Sequence, residues 1–499
     1  MQRLAWIPVL LGCLLAGCGG GDGTAGSLDA ALSYLPRDTP FAVAVDTDLE
    51  GEQWRAVDSI LERFPIGGDA EDLLRRKLDG QGVDFRRDVE PVLGNPLVIS
   101  AGSPRSFRPR GEDDFVAAIE ADDPDALDAL IDRMNPRKED EVAGTTIYRD
   151  GGTLFAVEDE VVVFADSRAL IEQALERADG DDHLDRKRFA EGLQGLPDGS
   201  LVDVYANVEA LLRSDPAARA ARRVEWLGAL RTLGLTASVA EDRIDVEFNL
   251  RTDAEGLSDE DLPIAAGDQA PPVVENRGEV GFGIRDPAQI VRFAETVARA
   301  VDPASFGRYA QAKRTLGARL GIDIDDDLIG AFSGDVSGSV ALDGGFGLRA
   351  ELEDPGAFRR TLAKAAPALP ALLRRAGAGR ARLERPRSAN GLYVLRRPGG
   401  DADVFGVVDG VFVVAGDRAR AVRLAGERPV SVPDAEGAVV IGADAEQLAN
   451  EILHGLVPGL GLRGLGGLGG LFTGALGDLS GWMAADADGL RGRLRLELE

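Results

Sequence analysis

The chain has 499 residues, 44% of them apolar, and 85 acidic against 56 basic side chains give a net charge of −29. That apolar fraction excludes a chain disordered throughout, and the length allows two to four domains. The acidic balance and an aromatic fraction of only 5% argue against a nucleic-acid surface, which needs basic stripes and stacking platforms.

The amino terminus reads MQRLAWIPVLLGCLLAGC. Arg3 precedes an apolar run, Leu4 to Ala16, that is short for a bilayer span and has the size of a signal-peptide core. Leu15-Ala16-Gly17-Cys18 resembles the lipobox of bacterial lipoproteins. The resemblance implies a signal peptide over residues 1–17, cleavage before Cys18, lipid on its thiol, and an extracytoplasmic protein anchored to the bacterial membrane. Cleavage also removes Cys13, so no disulfide is expected. Gly19–Ser27 (GGGDGTAGS) reads as a tether of roughly 15–20 Å reach, within a segment 18–27.

Beyond it, FAVAVD, FVAAIE, TLFAVE and VVVFAD are short β-branched or alternating runs that read as strands. EQWRAVDSILERF places Trp54, Val57, Ile60, Leu61 and Phe64 on one helical face. DDPDALDALIDRM opens on an acid, has Pro124 in its first turn, and reads as a capped amphipathic helix. A tight turn is expected at Glu158–Glu160 and a helix from Arg168. Strand–helix–hairpin–helix predicts an α+β fold, an antiparallel sheet with helices packed on one face.

The pattern is written twice. LDGQGVDFRRDVEPVLG resembles LGARLGIDIDDDLIGAFSG, and Asp123-Pro124 falls on Asp354-Pro355. VEDEVVVFADSRALIEQAL resembles VVDGVFVVAGDRARAVRLA, LVDVYANVEALL resembles AVVIGADAEQLA, and TASVAEDRIDVEFNLR resembles MAADADGLRGRLRLEL. Five collinear matches predict two sequence-related α+β halves, 28–252 and 274–499, joined by the acid- and Pro-rich segment 253–273.

The aspartates of GIDIDDDLIGAF look like a cation site, yet Arg86 and Arg87 replace Asp325 and Asp326 in the first half. Only Asp84/Asp323 and Asp88/Asp327 recur, so Asp88 and Asp327 are expected to cap short helices, with Asp325 and Asp326 exposed. An EF-hand would need Gly at Leu328 and Glu at Gly334. His183 lies among aspartates in RADGDDHLDRKRF with no second histidine near it, and reads as a solvated loop. His454 sits in an apolar arm and reads as a packed or rim residue. No serine sits in a Gly-x-Ser-x-Gly elbow, and GLGLRG lacks the strand and helix of a dinucleotide site. Thus no catalytic residue, metal or cofactor is expected. Gly455–Gly481 is mostly Gly and Leu, with eleven glycines, and reads as a loop over its own core. The sharper reading makes Leu460, Leu462, Leu465, Leu468, Leu471 and Phe472 an apolar contact for a lipid or an envelope protein.

The order LPRDTPFAVAVDTD, LDGQGVDFRRDVEPVLGNPLVI, VVVFADSRALIEQAL, LPDGSLVDVYANVEALL resembles an uncharacterised bacterial envelope family, domain of unknown function 3352. The family pattern has tryptophan after the proline of its Asp-Leu-x-Pro-Trp-Leu-Gly segment, where this chain has Val92 after Pro91. The resemblance implies no activity. The sequence therefore predicts a membrane-anchored lipoprotein acting by non-catalytic binding or as a scaffold. The alternatives are a carrier of lipid or another apolar ligand, a transport-associated solute-binding protein, and a secreted hydrolase.

Overall fold

The computed structural model describes residues 24–63, 83–101, 115–142, 144–150, 153–214, 216–253, 256–274, 279–341, 345–375, 377, 379–386, 391–398, 402–448 and 475–499. The chain divides into two compact units. The first comprises Met1–Ser214, Arg231–Arg251 and Glu497–Glu499; the second comprises Asp215–Leu230 and Thr252–Leu496.

The first sheet contains β1 (Phe41–Val45), β2 (Leu97–Ala101), β3 (Phe115–Glu120), β4 (Arg137–Val142), β5 (Thr145–Asp150), β6 (Thr153–Glu158), β7 (Val161–Ala165), β8 (Val202–Asn207), β9 (Leu230–Ala240) and β10 (Arg243–Thr252). They lie in the order β4-β5-β6-β7-β3-β2-β1-β8-β9-β10. The second sheet contains β11 (Glu279–Arg285), β12 (Asp335–Ala341), β13 (Phe346–Glu351), β14 (Arg382–Glu384), β15 (Tyr393–Arg396), β16 (Ala402–Val408), β17 (Val411–Ala415), β18 (Val439–Asp444), β19 (Leu476–Asp486) and β20 (Gly489–Leu498). Its order is β14-β15-β16-β17-β13-β12-β11-β18-β19-β20. Each strand number is ten higher than in the first sheet. The fold is α+β, as the sequence predicts.

Local chemistry sets the elements. The turn between β6 and β7 carries Asp159 and Glu160 at φ 47° and 71°. The turn between β16 and β17 carries Asp409 and Gly410 at 49° and 91°. Two successive positive φ values give the twist that a two-residue hairpin needs. The helix Pro124–Met134 starts where the Asp123 side chain accepts the Ala126 N–H at 3.0 Å. Pro355–Ala365 starts on Asp354, which accepts from Ala357 at 2.8 Å. Proline at the first position fits both, because its absent N–H would have had no partner there.

Helices cover both faces of the first sheet, and this corrects the one-face expectation. Phe115, Ala117 and Ile119 of β3 point into a core with Trp54, Phe85, Val89 and Leu127. The alternate residues Val116 and Ala118 point into a second core with Leu32, Ile171, Phe189 and Tyr205. FVAAIE and VVVFA are accordingly continuous apolar runs, since a strand buried on both sides has no polar face. Trp54, Leu32, Ile171 and Phe189 are each at most 2% exposed, and burying each such side chain contributes about 1.5–3 kcal/mol. The second sheet is also two-faced. Val413 and Ala415 of β17 pack with Ala421 and Leu424, while Phe412 and Val414 face Phe358 and Leu362.

Within the second unit the segment 256–273 is folded in. Leu262 and Ile264 are buried, and Gln289 Nε2 donates to the carbonyls of Asp259, Glu260 and Leu262. Trp226 meets Phe293 edge-on at 5.9 Å.

Candidate functional site

Several sequence candidates lie outside the described residues: Cys18, His454, the GLGLRG run, and the arm residues Leu460, Leu462, Leu465, Leu468, Leu471 and Phe472.

The recurring aspartates are described, and their roles differ from the expectation. Asp84 is the cap, accepting the Arg87 N–H at 2.9 Å. The Asp88 carboxylate reaches back to the Asp84 N–H at 2.7 Å. Likewise Asp323 accepts from Asp325 and Asp326 at 2.9 and 3.2 Å, and Asp327 accepts the Asp323 N–H at 2.9 Å. The helical turns begin at Phe85 and Asp325, ahead of Asp88 and Asp327, so the orphan N–H groups fall to Asp84 and Asp323. Asp88 is buried and also holds the guanidinium groups of Arg87 and Arg133. Asp327 is exposed. Asp325 and Asp326 are exposed as expected, but Asp325 pairs with Lys313, which also reaches Glu295 at 2.7 Å. His183 Nδ1 pairs with the Gly180 carbonyl at 2.9 Å in its loop. Among the described residues, no group of three or more His, Cys, Asp or Glu side chains is arranged to hold a metal.

One acidic pair is perturbed. Burial first, then neighbouring Asp48 and Asp203, push the Asp46 carboxyl up to about 6. Burial, with Asp198 adding to it, also raises Asp203, against a hydrogen bond from Ser200. Asp46 follows β1 and Asp203 lies on β8, so the antiparallel pairing of these strands places two carboxyls at one end of the sheet.

An apolar pocket lies in the second unit, on the face of β13, β15, β16 and β17 that packs against Pro355–Ala365. It is open, about 360 Å³ in volume, and lined by Phe346, Leu369, Leu373, Leu395, Phe405 and Val414, with Arg397 and Asp403 at its rim. Its size lies in the range of small-molecule sites, and its wall is mostly apolar. Arg397 and Asp403 pair at 2.5 Å.

Two local features make this pocket. The first is a chain excursion. In the first unit Asn135 ends the helix at φ 46° and β4 begins at Arg137. In the second unit residues 366–381 intervene between helix and edge strand, and include the helix Leu369–Arg375. The i, i+4 pair Leu369 and Leu373 turns one side of that helix to the pocket. The second feature is a side-chain exchange. Across β5-β6-β7 the register aligns Tyr148, Phe155 and Phe164, with Tyr148 and Phe155 stacked at 5.1 Å. Across β15-β16-β17 it aligns Tyr393, Phe405 and Val414, with the first two stacked at 5.3 Å. Valine stands where the first sheet has a phenylalanine. The sequence reading missed all of these residues, although the aligned runs VVVFAD and VFVVAG already carry the Phe-for-Val exchange.

Among the described residues this is an α+β protein of antiparallel strands and many helices in two compact units, one of them with an apolar pocket on its strands. It belongs to the family described as Protein of unknown function (DUF3352), which matches residues 9–348. No curated protein matches the chain. Among solved structures, crystal form III of TP0453 is similar at 12% identity, covering 44% of this chain and 79% of that one with a TM-score of 0.27. Crystal form I of TP0453 gives 12%, 46%, 81% and 0.26. Scores this low establish neither fold nor function.

Proposed function

We propose that the protein is an extracytoplasmic lipoprotein, anchored through a lipidated Cys18, which acts by holding an apolar ligand rather than by catalysis. The pocket walled by Phe346, Leu369, Leu373, Leu395, Phe405 and Val414 carries this reading. An apolar wall left open to water forgoes burial that a ligand would recover. We also infer that the units are sequence-related halves. Five collinear sequence matches, one strand order and two equivalent Tyr–Phe stacks support that inference.

Val414→Phe tests the binding reading. It restores the ring that Phe164 supplies in the first unit, in a space already open. Enhancement of N-phenyl-1-naphthylamine fluorescence should fall at least tenfold, with the thermal midpoint held. A wild-type protein that gives no enhancement, or a variant that keeps it, refutes the pocket. For the anchor, Cys18→Ala should leave an uncleaved or soluble exported protein. Normal membrane retention of the variant, with no diacylglycerol on the wild type, would refute lipidation.

A further inference from the structure

Residues 369–397 hold eight arginines and one glutamate, a net +7 within a chain of −29. The corresponding stretch of the first unit, residues 135–150, has three bases and four acids. Its charges are matched locally: Arg149 pairs with Glu139 at 2.9 Å, and Asp140 pairs with Arg168. In the second unit Arg396 pairs with Glu384 at 2.7 Å and Arg397 with Asp403. Arg374, Arg375, Arg380, Arg382 and Arg385 are exposed and make no ion pair among the described residues.

Arg374 and Arg375 neighbour the pocket wall, while Arg385 lines a separate cleft with Glu384 and Arg396. Arg374 and Arg375 follow Leu373 on the helix that contributes to the wall, and that helix packs against β14, the edge strand carrying Arg382. On β14 and β15, Leu383 pairs with Leu395 toward the core, and Arg382 pairs with Arg396 on the other face. Positive charge therefore wraps the sheet edge beside an apolar opening. Unmatched cations concentrated on one edge of an acidic protein attract anions within about a Debye length, roughly 8 Å at physiological ionic strength. Guanidinium groups suit carboxylate and phosphate in particular, because their donors form a planar fork.

The geometry points to an anionic amphiphile as the ligand of this site. Its acyl chain lies against Leu369, Leu373, Leu395, Phe405 and Val414, and its carboxylate or phosphate headgroup is held by the arginine border. This rests on the apolar-ligand reading and adds the headgroup. Chain and headgroup are separate selections: the pocket takes any chain, and the border sorts ligands by charge.

The test is a competition on the purified full chain, read by native mass spectrometry. Myristic acid and monomyristoyl glycerol share one chain and differ in charge. Wild type should bind the acid about tenfold more tightly at low salt, and the margin should shrink at high salt. Arg374→Glu with Arg375→Glu and Arg380→Glu should erase the preference while monomyristoyl glycerol still binds. Val414→Phe should lose both ligands. Equal occupancy by the two probes in wild type, or a preference that survives charge reversal, overturns headgroup selection and leaves the apolar pocket standing. Binding of neither probe by the folded wild type overturns the pocket reading as well. Heparin bound equally by wild type and Val414→Phe, without any acid preference, would assign the arginines to a polyanion instead.

Discussion

The two sheets place an aromatic row at the same point of the same strand order, and they finish it differently. In the first, Phe164 completes the row with its ring 6.1 Å from Phe155, and both are buried. In the second, Val414 completes it, and Phe412 stands two residues earlier on β17. Phe412 packs on Phe358 at 5.1 Å and on Phe332 at 5.5 Å. Aromatic mass has moved along the strand by one same-face step, filling the space near Pro355–Ala365 and opening the space near Leu369–Arg375. One strand order thus accompanies a closed core in one unit and an open apolar pocket in the other. The side chain at a single register position, together with a sixteen-residue excursion, makes the difference.

The strongest test of that comparison is Phe164→Val, which gives the first unit the residue of the second. With the short connection Asn135–Pro136 above it, no excursion compensates, and the change should cost about 2–4 kcal/mol in urea unfolding. A loss below about 0.5 kcal/mol would mean that Phe164 is not what closes the first core.

The aspartate clasps give a second contrast. Asp88 and Asp327 make the same backbone hydrogen bond, but Asp88 is buried and holds two arginines, while Asp327 is exposed. Asp88→Ala should therefore cost about 2 kcal/mol and Asp327→Ala about 0.5–1. Equal losses in denaturant melts would show that the arginines add nothing.

A further, pH-dependent contrast lies at the sheet ends. Asp46 donates its N–H to the Leu201 carbonyl as β1 leaves the first sheet, and Arg285 donates to Ala438 at the equivalent point of the second. Burial holds Asp46 at about 6, above its ordinary 3.8, so the folded state binds the proton more tightly than the unfolded chain. The resulting stability is complete below about pH 4 and is lost as pH rises through 6. Asp46→Asn should remove that loss, raising stability at pH 8 by about 1 kcal/mol and flattening the profile between pH 4 and 7. A variant whose pH profile matches wild type would place the sensitivity elsewhere.

The legible part of this molecule was local. The tight turn at Asp159-Glu160, the Asp-Pro helix starts at 123–124 and 354–355, and the alternating or continuous apolar strands follow from residues a few positions apart. Those patterns were enough for the α+β class and the family. The capping aspartates were misplaced by four residues, because a cap depends on where the first unpaired N–H groups fall, and apolar spacing does not report that. Two-faced burial was written in FVAAIE and VVVFA, yet a continuous apolar run does not say what covers its second side. The pocket was the least visible feature. Phe346, Leu369, Leu395, Phe405 and Val414 lie on four strands and a helix, up to 68 residues apart. Only strand pairing and register bring them to one wall. Local propensity fixes each element, but a cavity is what remains where several elements fail to fill a space, and that is settled only once all of them are in place.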